Sequence, residues 1–150
     1  ASADAQNRVE MLGQELGQTR VDLENTRQQA GEIADMEANL VTVKENVAKL
    51  REKAESLSDD NANKFAAMNE LVKAENQQAE MEQTIANHHQ RLADLQRQEG
   101  RLAQELIQAQ ANVESTGKEL EDRARAEAAA KKKAEATQTA RDRSVENTFV

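Results

Sequence analysis

Apolar and small residues recur along this chain at alternating steps of three and four. The first run is Val9, Leu12, Leu16, Thr19, Leu23, Thr26, Ala30 and Ile33. After a second consecutive step of three it continues through Met36, Leu40, Val43, Val47, Leu50, Ala54 and Leu57. A later run takes up the same rhythm at Met81, Ile85, His88, Leu92, Leu95, Glu99, Leu102, Leu106, Ala109, Val113, Thr116 and Leu120. A period near 3.5 held over many heptads predicts long helices whose narrow apolar stripe faces another helix. A disordered chain has no reason to hold phase this long. The doubled step at Ala30, Ile33 and Met36 reads as a stammer, which locally overwinds such a helix.

Between Leu57 and Met81 the stripe is poorest, running through Asn61, Lys64, Met68, Leu71, Ala74 and Gln78. The polar cluster Ser58-Asp59-Asp60-Asn61 falls at this weak point. Such residues favour caps and turns because their side chains compete for backbone hydrogen bonds. The pattern predicts an all-α fold: an elongated antiparallel coiled-coil hairpin with a helical C-terminal extension. Its parts are a helix over 4–57, a turn near 58–61 capped by Asp59 or Asp60, and a helix over 61–114 or longer. Each arm would be about 80 Å long at ~1.5 Å per residue. Reversal at Asp59 makes residue i face one near 118 − i, pairing Leu12 with Leu106, Leu16 with Leu102 and Leu23 with Leu95. The same rule pairs Ile33 with Ile85, Leu50 with Met68, and Ala30 with His88. The alternative is one continuous long helix in a parallel coiled-coil oligomer, with Asn61 in its core fixing register.

Composition agrees with a thin helical object. Leu, Ile, Val and Phe make up 26 of 150 residues, too few for a thick core, while Ala alone occupies 26 positions. Pro, Cys, Trp and Tyr are absent, so nothing breaks the helices and nothing calls for a disulfide. No apolar run nears the ~18 residues of a membrane span, and the chain is read as soluble, with no compartment assigned. Charge divides it in two. Residues 1–122, the coiled-coil body, hold 13 Lys/Arg against 24 Asp/Glu, a net of −11. Residues 123–150, an Ala-rich tail, hold 7 against 4, a net of +3. An acidic body argues against nucleic acid; the basic tail, with Lys131, Lys132 and Lys133, suits an acidic protein partner. Gly117 is a weak point in a helix, but Val113, Thr116 and Leu120 carry the stripe past it.

Candidate chemistry is sparse. "NHHQ" at 87–90 places two histidines side by side rather than at the i, i+4 spacing of a helical metal site, so no metal or cofactor is expected. The five glycines match no nucleotide-binding loop. Acidic pairs on a solvated helix have no pocket to shift their pKa, so the chain is not expected to be an enzyme. In composition and rhythm, residues 9–120 resemble long coiled-coil segments such as the hairpin arms of export-pump adaptors or the receptor-binding hairpins of colicins. No family-specific motif accompanies that resemblance, and no site residue is carried over from it. The expected function is a structural spacer, stalk or scaffold that self-associates or bridges protein partners. The alternative is a protein-binding hairpin arm of a larger assembly, docking through its tip or basic tail. The residues expected to carry either role are the stripe (Leu12, Leu16, Leu23, Ile33, Leu40, Val47, Leu50, Leu57, Leu71, Ile85, Leu92, Leu95, Leu102, Leu106, Val113 and Leu120) and the lysines at 131–133.

Overall fold

The computed structural model describes residues 2–149, with the side chains of 3–145. The described residues are helical apart from two short interruptions, and no strand occurs among them. Helix α1 spans Ser2–Gln28, α2 spans Ala30–Ser56 and α3 spans Ala62–Phe149. The continuous-helix alternative does not hold, because the chain leaves helical geometry over 57–61.

The interruption at Gln29 is a hitch, and it sits where the stammer was expected. Gln29 N–H bonds the Thr26 carbonyl at 3.2 Å, an i→i−3 contact tighter than an α-turn. The buried Thr26 donates its hydroxyl to the Asp22 carbonyl at 2.8 Å. Such back-bonding bends helices. Local tightening is the response that two consecutive steps of three require.

The interruption at 57–61 is a true turn. Leu57 is extended, with φ −87° and ψ 138°. Asn61 N–H then bonds the Ser58 carbonyl at 2.9 Å, closing a β-turn. No described residue, glycine included, has positive φ, which is why a turn without Gly or Pro is adequate here. The cap of α3 is Asn61 rather than either aspartate: its Oδ1 accepts the Asn63 N–H at 2.8 Å.

The chain forms two compact units, residues 1–14 with 103–150, and residues 15–102. In the second unit, α2 and α3 lie side by side and antiparallel. Glu37 meets His89, Lys44 meets Glu82 and Arg51 meets Glu75, so each step of seven up α2 is a step of seven down α3. At the turn, Lys64 Nζ donates to the Leu57 carbonyl at 3.0 Å. Counting inward from that contact brings Ala54 opposite Ala67, Val47 opposite Ala74, and Ile33 opposite His88, all of them buried.

This register corrects the expected pairings of α2. Counted from the turn, Ile33 falls opposite His88 rather than Ile85, and Leu50 opposite Leu71 rather than Met68, three residues further along α3. Met68 is accordingly half-exposed, and the buried stripe passes through Ala67 instead. Ala30 is exposed and does not cover His88. Before the hitch, Arg20 Nε lies 3.9 Å from Glu99 Oε2. There the original rule, which sets Thr19 against Glu99 and Leu23 against Leu95, agrees with that contact.

In the first unit, Leu12 and Ala109 are buried. Val9 and Val113 line a shallow apolar depression with Gln6, Glu10 and Gln110. Beyond Thr116, α3 passes Gly117 without a break, and every described side chain from 117 to 145 is exposed.

Candidate interaction site

Of the residues expected in the stripe, Leu12, Leu16, Leu23, Ile33, Val47, Leu95 and Leu102 are buried. Leu40, Leu50, Leu57, Leu71, Ile85, Leu92, Leu106 and Val113 are half-buried. Leu120 is exposed, in the bare part of α3. The stripe also buries Thr19, Thr26 and four alanines, Ala54, Ala67, Ala74 and Ala109, so its residues are small and its core thin. No buried side-chain nitrogen or oxygen among the described residues lacks a hydrogen-bond partner.

Alongside the Asn61 cap, the side chain of Lys64 ties the turn together. Besides the Leu57 carbonyl, Lys64 Nζ reaches Asp59 Oδ1 at 2.8 Å. Their hydrogen bond, reinforced by the lysine charge, holds the Asp59 carboxyl below its ordinary pKa. The sign of the linkage follows directly. A carboxylate whose folded pKa is depressed adds stability above the unfolded pKa and loses it as pH falls through the folded value. The stability difference between the parent and Asp59→Asn should therefore be complete at neutral pH. It should shrink once pH drops below the ordinary aspartate range, and vanish in stronger acid. Asp59 is fully solvated, so the difference is small, and urea melts at several pH values should detect it as a converging pair of curves.

The histidines divide by face. His88 is buried in the stripe, while His89 Nε2 lies 2.9 Å from Glu37 Oε1 on the flank. Among the described residues no group of three or more His, Cys, Asp or Glu is placed to hold a metal ion. No described helix is long and apolar enough to cross a membrane.

The lysines at 131–133 lie on the bare stretch of α3, and none of them has an ion pair among the described residues. The same holds for Arg123, Arg125, Arg141 and Arg143. A separate feature lies on the outer side of α3, next to the turn. Phe65 is 75% exposed, with Met68 at 49% and Val72 at 52%, all on one helical face. Reading the chain for its stripe missed this face, although the seven-residue spacing of Phe65 and Val72 was there to find.

No protein-family model, curated protein or solved structure matches the chain.

Proposed function

We propose that the chain is a structural coiled-coil spacer or scaffold, built as an antiparallel hairpin, that self-associates or bridges protein partners. The observation that carries this reading is where the apolar residues lie. Among the described residues the buried large side chains fall on one stripe at heptad spacing. Charged side chains flank the stripe in ion pairs that are half-exposed, each worth about 0–1 kcal/mol. Such pairs set partner and register more than stability. Sedimentation combined with solution scattering tests the reading. A scaffold gives a mass above one chain together with a long maximum dimension, whereas a monomer at every concentration contradicts self-association.

The bare helix over 117–145 favours a second reading, a binding arm that docks an acidic protein through its basic tail. In isolation this stretch should exchange its amide hydrogens faster than any other, since no packing protects it. If it docks electrostatically, binding should weaken steeply as the screening length falls from ~10 Å at 0.1 M salt to ~3 Å at 1 M. Changing Lys131, Lys132 and Lys133 together to Glu leaves helix propensity nearly unaltered and should abolish that binding. A triple variant that assembles and binds like the parent at low salt removes the tail from the mechanism.

A further inference from the structure

The outer face of α3 beyond the turn carries a second heptad pattern. One column is Phe65, Val72, Ala79 and Ala86; the column beside it is Asn69, Asn76, Gln83 and Gln90. All eight positions are exposed and none is charged, on a chain whose formal net charge is −8. An ordinary solvated helix face has no reason to exclude charge over 26 residues, a length of about 39 Å at ~1.5 Å per residue. The acidic residues on one flank, Glu75 and Glu82, are already neutralised within the chain by Arg51 and Lys44. On the other flank, Lys73 and Glu80 are exposed and have no ion pair among the described residues.

We propose that this face pairs antiparallel with the same face of a second copy, about a two-fold axis at the level of Asn76 and Gln77. The inference rests on the self-association reading above and names the surface that performs it. An isologous contact requires a self-complementary surface. At this register Phe65 packs between Ala86 and Gln90 of the second copy, and Val72 packs between its Ala79 and Gln83. Large side chains thus meet small ones, and Asn76 approaches its own counterpart at the axis. Lys73 faces Glu80 of the second copy, and the symmetry makes that ion pair twice. On the opposite flank the same symmetry brings Glu75 and Glu82 of the two copies towards each other, and each of these carboxylates is already paired within its own chain, with Arg51 or Lys44. The contact is narrow and belongs at the small end of stable interfaces, so micromolar rather than nanomolar association is expected.

Sedimentation equilibrium of the full chain over a concentration series tests it. The parent should dimerise. Phe65→Glu with Val72→Glu should be monomeric over the same range while keeping the parent melting curve at low concentration, because both positions are exposed. Lys73→Glu or Glu80→Lys alone sets like charges opposite each other and should raise Kd about tenfold or more. The double reversal should bring Kd back towards the parent value. A dimer indifferent to Phe65→Glu with Val72→Glu overturns the proposal. If that dimer is instead lost on changing Lys131, Lys132 and Lys133 to Glu, self-association stands but runs through the tail. Failure of the double reversal to restore affinity overturns the antiparallel register. A parent that stays monomeric throughout overturns both this face and the self-association on which it rests.

Discussion

Leu102→Asp is expected to remove most of the helical signal at 25 °C. Leu102 is 1% exposed, and with Leu23 it is the most deeply buried large side chain in the structure. An aspartate there would place a carboxylate in a dry layer with no cation to meet it, which costs several kcal/mol even after relaxation. Small domains have only about 5–15 kcal/mol of total stability, and this core is thinner than most. Truncation to Ala should cost about 2–5 kcal/mol, towards the lower end because a two-helix layer collapses easily around a cavity. Leu16→Asp should behave in the same way, since Leu16 lies opposite Leu102 in the register on that side of the hitch. Met11→Asp is the control. At 60% exposure it should shift stability by no more than about 0.5 kcal/mol. Circular dichroism through a urea titration separates the three cases. A Leu102→Asp variant that melts like the parent would show that the stripe is not the core.

What the sequence displays about this fold follows from what heptad spacing can and cannot encode. Steps of three and four mark which face is buried, and Leu12, Leu16, Leu23, Ile33, Val47 and Leu95 were legible for that reason. The stammer was legible too, because its doubled step survives in the primary sequence as Ala30, Ile33 and Met36. Register was not. A heptad pattern read backwards is again a heptad pattern, so spacing alone allows reversals that differ by a few residues. The turn chooses among them, through the Leu57–Lys64 contact and the Asn61 cap, and neither the lysine staple nor the choice of Asn61 over its aspartate neighbours is written in periodicity. The same geometry restarts the helix with Ala67 rather than Met68 in the buried column. Alanine stripes such as Ala54, Ala67 and Ala74 are nearly silent to a reading based on hydrophobicity, since alanine is common on every face of this chain. The uncharged outer columns of α3 went unread for a different reason. Their signal is the absence of charge, and it stands out only once the buried face is known.

Inserting Gly-Gly after Asp60 should leave the fold almost unchanged. The turn residues 58–61 are exposed, and lengthening a five-residue connection to seven adds roughly 0.3 kcal/mol of closure entropy. The Asn61 N–H to Ser58 carbonyl bond would be lost, but both groups reach water in the longer loop. The Asn61 side-chain cap and the heptad phase of each helix are untouched. The same two glycines inserted after Gln90 should behave very differently. Each costs about 1 kcal/mol in a helix interior, and the pair rotates everything beyond it by about 200° relative to the buried stripe. Leu95 and Leu102 would then face solvent while polar neighbours turned inward, so several kcal/mol should be lost. Urea denaturation of the two insertion variants makes the comparison with length and composition held equal. Similar losses at both sites would mean that 57–61 is not a free connection, and that the turn itself is held by contacts beyond Lys64. A small loss at Asp60 beside a large one at Gln90 locates the stability in the paired helices and leaves the turn open to vary.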